Sequence, residues 1–414
     1  MNPLQHIEQQ TLDEGREWTR RLLQIRLQAA VDQIGPVSPV SGLKLKRSRR
    51  VGMKLHTVCG VVELRLWYGF CTQSGRHMSP AREQWGLAPN QRFSPEFEKR
   101  MCYTATQTDS YEKAAAMAAC WGSAVSDDGV HTCVQRRGRQ ASVQIPPTPN
   151  TGRDQTTMII MMDGWMARHR GPQWGVKPPE KRADRVHWHE IKSAVIFRLN
   201  QRMQTSTGRR ILIKKHAVAV PAETEPAEFA SQVHAEAMRL GLPAAKKVYV
   251  VQDGAIWLWN VFDDRFSKCA AGTLDFYHAS DHLWALANDL FGQGSAEAKR
   301  WVLPLLHQLR HGKESRVLRS LAALVQSARE NHPQSVDIIT NTEEYFRRHE
   351  DHIHYATLDE AGVPIGSGAV ESQCSQFQDR FKRTGQFWSD QGFANLQAVD
   401  LRVRNDELQY LWAA

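Results

Sequence analysis

The spacing of apolar and polar positions changes character several times along the chain. Over residues 1–34, Leu4, Ile7, Leu12, Trp18, Leu22, Ile25 and Val31 recur at roughly helical spacing with charges between them, and Gly35-Pro36 ends the run. This predicts one long helix, able to pair with a partner chain or to fold back on its own domain. From Met53 to Phe70 the period falls to two, with "MKLHTV" and "VVELRLWYGF" flanking a turn at Cys59-Gly60. Residues 94–140 return to a helical pattern in three segments. Ser94 and Ser126 stand as N-caps, and the last two segments are joined at Gly122-Ser123-Ala124 in helix-turn-helix proportions. That unit is read either as a DNA-reading module, offering His131, Gln135, Arg136, Arg137 and Arg139 to solvent, or as plain packing. Residues 141–155, rich in Pro, Thr and Asn, read as a linker.

Beyond the linker the pattern becomes α/β. "TTMIIMM" (156–162) is an apolar run of strand length, as expected of a strand buried on both faces. Two more strands are predicted at 186–199 and 209–220. A helix, a strand at 246–252, a helix and a short strand in "GTLDFYHA" follow. Three meander strands followed by alternating helix and strand are the order of an RNase H-like core. Residues 280–355 are amphipathic and helical almost throughout, and two last helices are predicted at about 368–384 and 390–411. The expected organisation is an N-terminal helix and hairpin region (1–92), a helical DNA-binding domain (93–140), the linker (141–155), the first part of an α/β core (156–279), an all-α insertion (280–360) and the core's C-terminal helices (361–414). The fold class is thus α/β: a mixed sheet flanked by helices and interrupted by an all-α insertion, preceded by an α+β region.

Composition narrows the function classes. The hydrophobic fraction is 41%, ordinary for a globular chain. No apolar run approaches the ~20 residues that span a bilayer, and the polar start "MNPLQHIEQQ" has no signal-peptide core, so a cytoplasmic location is expected. The seven cysteines are scattered without a Cys-x-x-Cys pair, against a disulfide framework or a zinc ribbon. The formal net charge of +9 suits a polyanionic partner. Its densest stretch is Lys44, Lys46, Arg47, Arg49, Arg50 and Lys54, read as a solvated loop or a phosphate-contacting arm.

Acids punctuate the α/β region. "MIIMMDG" reaches Asp163 and "VYVVQDG" reaches Asp253, each at the expected end of a buried strand. Strand ends are where sites collect in open α/β sheets, and an isolated buried carboxylate is costly unless paired or metal-bound. Adjacent strands are ~4.8 Å apart, so two such aspartates can share a pair of divalent ions, with Mg²⁺ or Mn²⁺ favoured by hard oxygen donors. Glu371, in the first turn of a helix after Gly366-Ser367-Gly368, is the natural third carboxylate. The same helix then turns basic at Arg380, Lys382 and Arg383, candidates for phosphate contacts. Trp301 and Trp388 are candidates for base stacking, and Glu190 for a supporting role beside the acids.

"MMDGW", "WHEIKSAVIF", "VVQDGAIWLWNVF", "LDFYHASDHLW" and "GSGAVESQCSQFQDRFKRTGQFWS" together resemble the blocks of DDE transposases of bacterial insertion sequences, most closely the Kra group of the Mutator-like assemblage. The resemblance covers most of 156–405. It implies that Asp163, Asp253 and Glu371 are the catalytic, metal-holding triad for two Mg²⁺ or Mn²⁺ ions. "DFYH" matches the family's acid/Cys-x-x-His signature, which makes Asp275 and His278 supporting residues. Double-stranded DNA is the implied partner, both the element's terminal inverted repeats and the target. A homodimer or larger oligomer and a bacterial, nucleoid-associated location are implied as well. One departure is Ser74, in "CTQSGRH", where relatives often carry a second cysteine. A stand-alone metal-dependent nuclease of the same fold and a non-catalytic DNA-binding derivative are the rival readings.

Overall fold

Helix α1 (Pro3–Ile34) follows the predicted spacing, and its C-terminal half folds back on its own hairpin. The structure is a computed structural model that describes residues 2–88, 90–121, 123–149, 154–176, 185–208 and 210–412. The chain divides into two units: one comprises residues up to Gln144 with Ala398–Val403 and the stretch from Glu407, the other Ile145–Gln397 with Arg404–Asp406. In the first unit, β1 (Lys46–Thr57) and β2 (Gly60–Cys71) pair antiparallel with Thr57 opposite Gly60, and β3 (Arg76–Met78) joins the other edge of β2 ahead of the short α2 (Pro80–Gln84). Leu23, Leu27 and Ile34 of α1 pack on Leu55, Val62, Leu64 and Leu66 of the hairpin, whereas Leu4, Ile7, Leu12 and Trp18 stay exposed.

The basic stretch is strand rather than loop. Lys46 to Arg50 open β1, with a bulge between Lys46 and Arg49, and Lys44 lies just before it. Lys44, Lys46, Arg47 and Arg49 are exposed. Arg50 pairs with Asp32 at 2.6 Å and stacks over Trp67.

Helices α3 (Pro95–Gln107), α4 (Tyr111–Ala119) and α5 (Asp127–Val143) form the expected trihelical unit. Ser94 and Ser126 cap as their positions required; Gly122 of the expected turn lies outside the described residues. The basic face of α5 differs from expectation. Arg136 and Arg137 turn inward to the fully buried Glu98, and Arg137 Nε donates to its Oε2 at 3.0 Å. A buried carboxylate demands partners, and these two guanidiniums are the nearest. Arg139 is exposed and Gln135 half-buried. Glu98→Gln is therefore expected to destabilise this unit by about 2 kcal/mol, because two guanidiniums lose their counter-charge; a urea midpoint equal to wild type would refute the role.

In the second unit β4 (Met158–Arg170) and β5 (Val186–Arg198) form a long antiparallel ribbon. The segment after β5 splits. β6 (Arg202–Gln204) and β7 (Arg210–Leu212) make a separate small hairpin, and β8 (His216–Ala219) returns to pair with β5. The predicted strand at 209–220 is thus two strands in two sheets, and Arg209 lies outside the described residues. Helix α6 (Pro226–Arg239) leads to β9 (Val248–Gln252), α7 (Ile256–Arg265) and β10 (Ala271–Leu274). The five-stranded sheet has the order β10-β9-β4-β5-β8, with β9 and β10 parallel to β4 and the other neighbours antiparallel. Numbered in chain order and read from the β8 edge this is 3-2-1-4-5, the RNase H-like arrangement. The apolar runs Met158–Met162 and Val248–Val251 are buried throughout, because helices cover both faces.

Four longer helices follow: α8 (Phe276–Phe291), α9 (Ala296–Arg310), α10 (Glu314–Asn331) and α11 (Val336–Arg348), then the short α12 (Tyr355–Glu360). α13 (Gly368–Phe381) returns to the sheet and packs on β4 and β5 through Val370, Cys374, Phe377 and Phe381, spaced three and four apart as a covering helix requires. α14 (Asp390–Arg404) closes the order. No described helix is long and apolar enough to cross a membrane.

Candidate active site

β4 pairs with β9 only as far as Met162 opposite Gln252, and the two chains part at the next residues, Asp163 and Asp253. Asp163 is not at a strand end. β4 continues through it as a two-stranded ribbon with β5, where Asp163 stands opposite Ser193. The acid marks the end of parallel pairing, which an apolar run alone does not reveal. Asp253 follows β9, and its Oδ1 accepts from Ala255 N at 2.7 Å as the chain turns into α7.

Asp275 holds the second corner. Its backbone N donates to Gln252 O at 2.7 Å, seating it beside the end of β9. The side chain is fully buried and caps α8, accepting from Tyr277 N at 2.6 Å and His278 N at 3.0 Å. Its other oxygen accepts from Ser367 N and Oγ. Ser367 Oγ also lies 2.7 Å from Glu371 Oε1, so one hydroxyl hydrogen serves two carboxylates in turn. The close fit explains Gly366: a Cβ there would sit 2.6 Å from the Tyr277 ring.

These contacts gather the candidates unevenly. Ligand atoms of Asp275, His278 and Glu371 all lie within 4.8 Å of one another. Asp163 and Asp253 do not join that group of three, but their charges reach it. Burial raises the Asp163 pKa to about 6, and the charges of Asp253 and Glu371 add to burial against a lowering hydrogen bond from Gly164 N. His278 is raised to about 9, first by the Asp275 carboxylate 3.6 Å from its Nδ1 and then by the charges of Asp253 and Glu371, against burial. Burial works to raise the Asp275 carboxyl, but bonds from His278 and Ser367 hold it below the usual carboxylate range. The cluster is thus a concentration of negative charge with one imidazolium. Its hard oxygen donors suit a divalent cation.

The other sequence candidates scatter. Arg380 is buried and stacks over Trp388, on the face of α13 turned to the sheet, so it is not the solvent-facing phosphate contact expected. Arg383 is exposed, and Lys382 is half-buried over Trp188. Trp388, half-buried, packs on Phe381 and Phe393 with its indole donating to Phe381 O, and Trp301, also half-buried, packs on Phe291. Glu190 sits over Gly164, and pleat alternation puts it on the sheet face opposite Asp163.

Sequence reasoning missed two features. Tyr345 of α11 lies against Gly254, where a Cβ would come within 2.2 Å of its ring, and stacks on His282 at 3.8 Å. Burial and the charges of Asp253 and Asp275 push the phenol pKa upward. The only trace in sequence is the glycine after Asp253. Second, a cavity of about 670 Å³ beside the start of α13 is lined by Arg202, Arg210, Lys215 and Arg310, with one acid, Asp359, and by Gly366, Gly368, Ala369 and Ser372. Its cations come from separated segments and form no run.

No family model matches the chain, and neither does any curated protein. Among solved structures it is similar to a Drosophila P element transposase strand transfer complex, at 12% identity over 80% of this chain and 83% of that one, with a TM-score of 0.27. It is also similar to NurA with manganese, at 13% identity over 66% of this chain and 59% of that one, with a TM-score of 0.10. Overlaps this slight carry no argument about chemistry, which rests on the site.

Proposed function

We propose that the chain is a DNA transposase of an insertion sequence, cutting phosphodiester bonds at the ends of its element and joining them to target DNA. The observation that carries this reading is the grouping of Asp275, His278 and Glu371 beside the end of β9 in an RNase H-like sheet, with the charges of Asp253 and Glu371 felt at Asp163, where the parallel pairing ends. Asp163, Asp253 and Glu371 would hold two Mg²⁺ or Mn²⁺ ions, which supply activation of the attacking oxygen and stabilisation of the leaving oxygen when bound. Asp275 fixes the turn that presents Glu371. His278, protonated at neutral pH, offsets one negative charge and can donate to a phosphate oxygen. Tyr345 packs over Gly254, the residue after Asp253. The cationic cavity beside α13 suits the sugar–phosphate backbone leading to the cut.

Mg²⁺-dependent cleavage followed by joining of 3′-hydroxyl ends tests the reading. Cleavage without joining would favour the stand-alone nuclease, and binding without cleavage the non-catalytic derivative. The cavity makes a separate prediction. Arg210→Ala with Lys215→Ala should weaken DNA binding and lower the salt slope by about one per lost phosphate contact; an unchanged slope removes the cavity from the DNA path.

A further inference from the structure

The far end of the β4–β5 ribbon carries a second group of ligand-type side chains. Past Met162, β4 has left β9 and keeps β5 as its partner. His169 stands opposite His187 and Ala167 opposite His189, so His169, His187 and His189 share the face that also carries Asp163. The chain between α13 and α14 closes on this end: Arg170 N donates to Trp388 O at 2.7 Å, and Trp388 N donates to Arg168 O at 3.1 Å. These bonds bring Asp390, the first residue of α14, to His169, with Oδ1 2.7 Å from Nδ1. Ligand atoms of His169, His189 and Asp390 all lie within 4.8 Å of one another.

The central imidazole is buried. His169 is 1% exposed, and its Nε2 is buried with no hydrogen-bond partner among the described residues. Nδ1, 2.7 Å from Asp390 Oδ1, is the nitrogen that an ion shared with that carboxylate would take. His189 is half-buried and Asp390 exposed, so one side of the group opens to solvent and admits an ion with its water.

We infer that His169, His189 and Asp390 form a site for one divalent transition metal. Two imidazoles and a carboxylate fit Zn²⁺, whereas the carboxylates of Asp163, Asp253 and Glu371 suit harder ions. The ion would cross-link two strands and the start of α14, holding the Trp388 segment against the end of β4.

The test uses the full chain carrying Asp163→Asn and Glu371→Gln, so that the acid cluster contributes little to metal binding. After Zn²⁺ loading and gel filtration, elemental analysis should find one Zn²⁺ per chain. Co²⁺ in its place should give the visible absorption of a nitrogen-ligated ion. His189→Ala and Asp390→Ala, at positions open enough to leave folding intact by far-UV circular dichroism, should each weaken Zn²⁺ binding by about tenfold or more. Absence of retained Zn²⁺ in the parent chain, or affinity unchanged in both variants, overturns the proposal.

Discussion

Asp163→Asn is expected to reduce Mg²⁺-dependent strand cleavage by at least about a thousandfold while making the protein more stable at pH 7. The two effects share one cause. The folded state raises this carboxyl to about 6 from an ordinary 3.8, mainly by burial. A raised acid pKa means the native state binds the proton more tightly than the unfolded state. The ionised group therefore costs stability, a cost that grows as pH rises above 3.8 and is complete above about 6. A shift of about two units corresponds to ~3 kcal/mol; the carboxyl keeps some solvent, so a gain of about 1–2 kcal/mol is expected from the substitution at pH 7 and almost none at pH 4. Glu371→Gln should lose as much activity with little change in stability, because Glu371 is exposed. Asp253→Asn should lose activity too, and all three should still bind end DNA. Mg²⁺ should raise the melting temperature of wild type and not of Asp163→Asn. Wild-type-like cleavage by any of the three, or an Asp163→Asn chain less stable than wild type at pH 7, would remove that residue from the metal-holding set.

The sheet was legible because its central strands are covered on both faces, and "MIIMM" and "VYVV" can be little else at that length. Its order followed from three strands preceding the first crossover helix. The extent of β4 was not legible: beyond Met162 one neighbour is gone and the strand survives on β5 alone, a tertiary fact invisible in "DGWMARHR". Charge misled in a consistent way. Arg136, Arg137 and Arg380 look like a basic surface in sequence, yet Glu98, nearly forty residues upstream, draws the first two inward, and Arg380 is buried over Trp388. The candidate acids could be picked out one by one from strand-then-Asp-Gly and turn-then-Glu patterns. That Asp275 and His278 form a group with Glu371 depends on the Ser367 turn, which no spacing rule reports.

That turn gives the second large effect. Asp275→Ala is expected to cost the second unit about 3–5 kcal/mol, measured as the shift in its urea unfolding midpoint. The carboxylate is fully buried and accepts from four donors on two segments, Tyr277 N and His278 N at the start of α8 and Ser367 N and Oγ before α13. Alanine uncaps α8, worth about 1 kcal/mol, and leaves the Ser367 N–H buried without an acceptor, about 1–3 kcal/mol more. It also strands the His278 imidazolium beside a vanished counter-charge. Asp275→Asn should cost less at the helix cap, because one oxygen remains, but its amide must then face another donor at Ser367. Acid separates this role from a plain packing loss. Because the Asp275 pKa lies below its ordinary value, the stability it adds is present above pH 3.8 and lost as pH falls through the folded pKa. The gap between wild type and Asp275→Ala should therefore be widest near pH 7 and close below pH 4. A gap that stays constant across that range would mean the aspartate fills space there and does not tie the Ser367 turn, and with it Glu371, to the edge of the sheet.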